Sequence, residues 1–383
     1  MIVGIPTEIT FNETRVAAIP ITVRELVKKG FKVNIQSGAG FGSFINDEEY
    51  SDAGAKIVDS ASELYKTSDL ILKVNPPELY DSDKHEVDLM NEGTVFISFI
   101  QTIKEIEVVK RLQKKKITAF SMHLVPRTTL AQKMDALSSQ SNIAGYKAVL
   151  IGASHIGKYM PLLMTAAGTI QPSKILVIGA GVAGLQAIAT AKRLGSQVYA
   201  FDVRPVVKEQ VESLGAKFVE VESNDSDGVG EGGYATETSQ EYKDRQAQLL
   251  KKYISESDLV ITTALIPGRP APKIITKEMV DSMRGGSAII DLASENGGNC
   301  EYTKPGEIID HNRITIDGSL NFPGTMPIHA SQVYAKNISA LVYYLCPEGE
   351  LKLDIEDEIV SGAMFTHKGE IVDKHAKAAI LGE

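Results

Sequence analysis

Gly179, Gly181 and Gly184 stand in the spacing GxGxxG, and an acidic residue, Asp202, follows 18 positions after the last of them. The flanks give that pattern its chemistry. Lys174 to Ile178 (KILVI) is a short, nearly continuous apolar run, as expected of a strand buried on both faces. After the glycines, Leu185, Ile188 and Leu194 keep helical spacing up to Gly195, a plausible C-cap. A second strand, Gln197 to Phe201, ends at Asp202. In a strand–turn–helix–strand unit, Gly179 permits the tight turn and Gly181 lets backbone approach a pyrophosphate. Gly184 lets the helix pack on the sheet, and the helix N-terminus offers free N–H groups to the diphosphate. A carboxylate at Asp202 can accept hydrogen bonds from both adenosine ribose hydroxyls and would repel a 2′-phosphate. The predicted cofactor is therefore NAD(H) rather than NADP(H). Val182, Val203, Arg204, Tyr234, Ala264 and Leu265 complete the expected cofactor-binding set on this unit.

The rest of the chain must position that unit. Its 383 residues, 43% of them hydrophobic, are ample for two α/β domains. A formal net charge of −9 without a basic cluster argues against nucleic acid. The two cysteines, Cys300 and Cys346, have no CxxC spacing, and the seven histidines form no HxxxH or HExxH pair, so neither a disulfide framework nor a metal site is expected. The start, MIVGIPTEIT, reads as a strand rather than a signal peptide, and no apolar run reaches the ~18 residues of a membrane span.

Met1–Pro6, Phe31–Gln36, Leu70–Val74, Thr94–Phe99 and Ile117–Phe120 read as strands, alternating with helical stretches such as Ile21–Lys29 and Ile103–Lys115. That alternation predicts a first doubly wound parallel sheet, without a glycine fingerprint of its own. Asn142 to Gly168 reads as one long helix leading to the second sheet. There Lys174–Ile178, Gln197–Phe201, Lys217–Val221, Leu259–Thr262, Ala288–Asp291 and Ile314–Ile316 fit the order 3-2-1-4-5-6. Glu222 to Arg245, acidic and glycine-rich, is too long for an ordinary connection; Tyr234 within it suggests a lid over bound nucleotide. The helical pattern of Ile328–Leu345 is expected to cross back. The predicted domains are 1–138 with 328–383, and 139–327.

These residues carry a resemblance. IPTEITFNETRVAAIP, SGAGFGS, DLILKVNPP, the fingerprint and DLASENGGN resemble the NAD(H)-binding component of the proton-translocating nicotinamide nucleotide transhydrogenases. The chain is also similar, over nearly its full length, to alanine dehydrogenase. Two features separate the pair. Alanine dehydrogenases carry a histidine in the segment matching Phe96–Thr102 and an aspartate in that matching Asp291–Gly298. This chain reads FISFIQT, without histidine, and places Glu295 where the aspartate would fall. Oxidising an amino acid needs a proton acceptor within hydrogen-bond reach. Arg15 and Lys73, which match the keto-acid-binding positions, are accordingly expected to be structural charges.

The positive feature is RTTLAQKMDALSSQSNIAGY, similar to the arginine-glutamine-aspartate-SSQ stretch of the transhydrogenases. By that resemblance Arg127, Gln132, Asp135 and Ser138 surround the nicotinamide ring. Asp135 and Ser138 suit its carboxamide, Arg127 can hold Asp135, and uncharged Gln132 can face a second nucleotide. Hydride transfer between two nicotinamides moves no proton, so it needs no acid, base or metal, only alignment and exclusion of water. The resemblance implies NADP(H) on a separate partner domain and a proton-translocating membrane domain, neither of them on this chain. It further implies a homodimer peripheral to a membrane, on the cytoplasmic side in a bacterium, either a separately encoded subunit or a fragment ending at Glu383. The alternatives are a stand-alone amino-acid dehydrogenase and a non-catalytic NAD(H)-sensing module.

Overall fold

The computed structural model describes residues 1–221, 240–266 and 268–382. It divides into two compact units, Met1–Gln140 with Pro323–Glu383, and Ser141–Phe322.

In the first unit six parallel strands run in the order Thr118–Ser121, Val95–Ser98, Leu70–Leu72, Ile2–Ile5, Lys32–Gln36, Lys56–Val58. Two short C-terminal strands, Met364–His367 and Glu370–Ile371, extend the Thr118–Ser121 edge antiparallel, with Met364 opposite Phe120. The chain's order reverses between Ile2–Ile5 and Leu70–Leu72, the place where a doubly wound sheet opens a crevice. The helix Pro327–Leu345 buries Ala330, Tyr334, Ile338 and Leu341 on the side that packs into this unit, and Tyr334, Ile338 and Leu341 share a core with Val3, Ile5 and Leu72.

In the second unit the six expected strands are present in the expected order, with Lys217–Phe218 shorter than its apolar run suggests. A seventh, Ile308–His311, pairs antiparallel with Ile314–Asp317. The two-residue connection, Asn312-Arg313, has positive φ at both positions (53° and 64°), the twist that a tight hairpin demands. The helix Val182–Arg193 buries Gly184, Ala187, Ile188 and Ala191, a stripe of mostly small residues that brings it close to the sheet.

Two readings are corrected. The long helix expected over Asn142–Gly168 is Ala136–His155, followed by a hairpin of Leu163–Thr165 and Gly168–Ile170. Gly157 and Pro161 interrupt the helical pattern, and Gly168, at φ +127°, closes the hairpin turn. The connection expected over Glu222–Arg245 ends earlier, because Gln240–Glu256 is a helix. The remainder of that stretch, with Tyr234, lies outside the described residues. Among the described residues, no helix is long and apolar enough to cross a membrane.

Candidate functional site

The strand–turn–helix of the second unit is shaped for a diphosphate. Gly179 has φ +96°, and a Cβ there would stand 2.5 Å from the Thr263 hydroxyl oxygen. A Cβ on Gly184 would stand 1.8 Å from the Gly179 carbonyl oxygen, so no side chain fits. Gly181 is different: a Cβ would meet nothing within 4 Å, so open space lies over the turn. Gly181 is also the N-cap of Val182–Arg193 and supplies no side-chain cap, leaving first-turn N–H groups for an anion. Gly181, Val182, Ala183, Ser141, Leu265 and Leu292 line a pocket of about 160 Å³ beside this turn. A dinucleotide diphosphate fits these residues.

Asp202 sits at the end of Gln197–Phe201 and is engaged on both oxygens. Its Oδ2 accepts the Ala180 N–H (2.7 Å) and an Arg204 guanidinium N–H (2.9 Å). Its Oδ1 accepts the backbone N–H and Nε–H of Arg204 (2.8 and 3.0 Å). Burial pushes the carboxyl pKa up, but these donors outweigh burial and hold it below the usual carboxylate range. Asp202 is therefore charged, and is forked by Arg204. Val203 between them is 66% exposed. A nucleotide must displace part of the fork to reach Asp202.

Arg127, Gln132, Asp135 and Ser138 line one cleft of about 300 Å³ in the first unit, with Val125, Thr128 and Ala131. Asp135 caps the helix Ala136–His155: its Oδ1 accepts the Ser138 N–H (2.9 Å) and its Oδ2 the Ser138 hydroxyl (2.6 Å). Ser138, rather than Arg127, holds the carboxylate; exposed Arg127 makes no hydrogen bond or ion pair among the described residues. Gln132 begins a short 3₁₀ turn, Gln132–Met134, and Ala131 before it and Met134 at its end are buried in the core. Asn337 of the helix Pro327–Leu345 donates to the Lys133 carbonyl (2.9 Å), so the C-terminal segment pins the turn that carries Gln132.

Arg15 and Lys73 are consumed by their own surroundings. Arg15 donates to both oxygens of Glu13 (2.8 and 2.6 Å) and to Gln140 (2.9 Å). The Lys73 ammonium, fully buried, donates to both oxygens of Glu86 (2.8 and 2.6 Å), with Glu8 at 3.7 Å. Glu8 also accepts the Val74 N–H. Desolvation raises the Glu8 pKa to about 7, against the lowering pull of Lys73. The imidazole of His123, packed on the Phe99 ring at 4.8 Å, is pushed down to about 4 by burial. It is a poor proton acceptor for the segment that lacks a histidine of its own.

Two further contributors carry little local mark in the sequence. Thr263 donates to the Gly179 carbonyl (3.0 Å), tying the loop after Leu259–Thr262 to the glycine turn. Gly145 lets its helix reach the Ala183 carbonyl, which a Cβ would approach to 2.0 Å. Both depend on residues far apart in sequence. The small-residue run of SNIAGY is the only local signal.

A doubly wound α/β unit with a glycine-turn nucleotide cradle, joined in one chain to a second such unit, defines a nucleotide-binding oxidoreductase architecture. The family model described as alanine dehydrogenase/PNT, N-terminal domain, matches residues 4–144, and its C-terminal counterpart matches residues 148–374. The chain belongs to the alanine dehydrogenase/PNT family. It is 45% identical over 373 residues to NAD(P) transhydrogenase subunit alpha of Haemophilus influenzae, covering 97% of this chain and 71% of the relative. A solved transhydrogenase from Sinorhizobium meliloti superposes with a TM-score of 0.87 at 44% identity, over 97% of this chain and 100% of the other. A solved L-alanine dehydrogenase superposes with a TM-score of 0.84 at 26% identity, over 100% and 99% of the two chains. Alanine dehydrogenase is thus the more distant relative.

Proposed function

We propose that this chain is the NAD(H)-binding component of a proton-translocating NAD(P) transhydrogenase, passing a hydride between its own NAD(H) and NADP(H) held by a partner domain. The observation that carries the reading is the likeness of nearly the whole chain to transhydrogenase alpha subunits, and the cleft lined by Arg127, Gln132, Asp135 and Ser138 supports it. Bound NAD(H) supplies the hydride chemistry. The chain's residues do the rest: Gly179–Gly184 and the helix N-terminus take the diphosphate, and Asp202 takes the adenosine ribose. Val182, Val203, Arg204, Ala264 and Leu265 border the nucleotide. Asp135 and Ser138, with Arg127, meet the carboxamide, and Gln132 faces the second nucleotide. Their task is alignment and exclusion of water. The proton-translocating domain belongs to the partner subunits, through which the chain is peripheral to a membrane, and the working unit is a homodimer.

The test mixes the purified chain with an NADP(H)-binding transhydrogenase domain. Rapid reduction of NADP⁺ by NADH is expected. Alanine with NAD⁺ should give no NADH; turnover there would instead make the chain an amino-acid dehydrogenase. Binding of NADH without transfer would make it a sensing module.

A further inference from the structure

The segment DLASENGGN does more than complete the second sheet. Asp291, fully buried at the end of Ala288–Asp291, accepts five hydrogen bonds. Its Oδ1 takes the Thr262 hydroxyl (2.9 Å) and the Ala293 N–H (3.0 Å). Its Oδ2 takes the N–H groups of Asn299 (2.7 Å) and Cys300 (3.1 Å) and the Thr303 hydroxyl (2.6 Å). That carboxylate fixes the backbone of Asn299, whose side chain is spent on one loop. Asn299 Oδ1 accepts the Ala264 N–H (3.0 Å), and Nδ2 donates to the carbonyls of Ala264 and Pro272 (both 2.9 Å). The amide grips Ala264 at both its polar backbone groups, as a β-partner would.

The grip matters because, between Thr263, tied by its N–H to the Ile178 carbonyl (2.8 Å), and Ala271, the Asn299 amide is the side-chain anchor next to Leu265. Residues 263–274 contain no helix or strand among the described residues, and the loop is laid along the DLASENGGN segment. Ala271 N–H donates to the Asn296 carbonyl (2.8 Å) and Ile274 N–H to that of Asn299 (2.8 Å). Leu265, half exposed, forms one wall of the pocket over the glycine turn. A loop of this kind orders its wall only where it is anchored, and the anchor one residue from Leu265 is the Asn299 amide.

We infer that Asn299 is a positioning residue of the nucleotide cradle: its amide, set by Asp291, holds Ala264 so that Leu265 stands against the bound dinucleotide. The inference rests on the reading of the second unit as the NAD(H) site. Asn299→Leu removes three hydrogen bonds while keeping bulk. Asn299→Asp keeps size and the acceptor for the Ala264 N–H, and loses the amide donor. Losing the two bonds donated by that amide should weaken NADH binding about tenfold.

The chain contains no tryptophan, so Leu265→Trp gives a single indole reporter on the wall. Two quantities are measured in the whole chain: NADH affinity by calorimetry of the Asn299 variants, and indole anisotropy of the free chain with and without each variant in the Leu265→Trp background. Weaker NADH binding together with a fall in anisotropy is the expected result. If either quantity stays at its parent value the inference is overturned, even where the melting temperature drops, since a merely structural asparagine would lower stability without loosening the wall. Should Asn299→Leu fail to fold by circular dichroism, Asn299→Asp decides alone. Failure of the wild-type chain to bind NADH would instead remove the cradle reading itself, and that is established before any variant is made.

Discussion

Asp202→Asn should narrow the preference for NADH over NADPH by about two orders of magnitude, because it weakens one nucleotide and favours the other. In the free chain the carboxylate is held by Ala180, on the glycine turn, and by Arg204 through one backbone and two side-chain donors. An asparagine can keep its single oxygen on the Ala180 N–H, but its NH₂ then faces the donors of Arg204 and the fork opens. For NADH, a charge-assisted bond of about 1.5–3 kcal/mol becomes a neutral one of about 0.5–1.5 kcal/mol, which weakens binding about tenfold. For NADPH, the repulsion between a carboxylate and a 2′-phosphate about 4 Å away is ~4 kcal/mol per charge pair at an effective dielectric of about 20. The Arg204 side chain is 40% exposed, so solvent and salt screen this rim. Cutting the repulsion several-fold leaves about 1–2 kcal/mol, or about five- to thirtyfold tighter NADPH binding. The released Arg204 then meets the phosphate. Calorimetric titration of both nucleotides against Asp202→Asn, with and without Arg204→Ala, measures each effect. An unchanged NADH/NADPH ratio in Asp202→Asn would refute the electrostatic account. An NADPH gain that persists in full without Arg204 would refute the fork's share of it.

Gln132→Asn, one methylene shorter, should leave NADH affinity near normal and slow single-turnover transfer to a partner's NADP⁺ by on the order of 10²-fold; a normal rate with collapsed affinity would make Gln132 an ordinary binding residue. Ser138→Ala should weaken NADH about three- to tenfold by calorimetry, with one hydrogen bond lost. Gly145→Ala drives a Cβ to 2.0 Å from the Ala183 carbonyl, and should lower both melting temperature and NADH affinity by moving the helix that begins at Val182. Stability should also depend on pH through Glu8, whose folded pKa of about 7 stands above the ordinary value of 4.5. Between those values the folded state binds more protons, so this contribution is complete below the lower value and is lost as pH rises through the upper one. Melting curves of wild type and Glu8→Gln from pH 4.5 to 8 should show the variant gaining on wild type with rising pH; parallel curves would contradict the assignment.

The second sheet is legible in the sequence because most of its strands are four- and five-residue apolar runs punctuated by glycine, and because Gly179, Gly184 and Asp202 lie within one unit. The elements that escape have physical reasons to do so. Ile308–His311 alternates exposed and half-buried residues only weakly, and turns through Asn312-Arg313 without a glycine to mark it. Lys56–Val58 and Glu370–Ile371 are three and two residues long, below the length at which a period can be read. The hairpin over 163–170 hides in a helical pattern because Ala166 and Ala167, which form its turn, favour one. At the site, residue types are legible and partnerships are not. Arg204 stands two residues from Asp202, yet nothing in that spacing says that it occupies the carboxylate. Asn299 reaches Ala264 from 35 positions away, and Asn337 reaches Lys133 from 204. The carboxylates that engage Arg15 and Lys73, Glu13 and Glu86, stand two and 13 positions away, and neither spacing announces the pairing.

The most direct measurement follows a deuterium. NADH labelled with deuterium at the transferring C4 position is bound to this chain, mixed with NADP⁺ on an NADP(H)-binding domain, and the NADPH formed is analysed by mass. With no acid or base taking part, the label should appear whole in NADPH, and the same reaction of unlabelled NADH in D₂O should give NADPH without deuterium. Deuterium entering from solvent, or no transfer from a chain that binds NADH, would contradict direct hydride transfer.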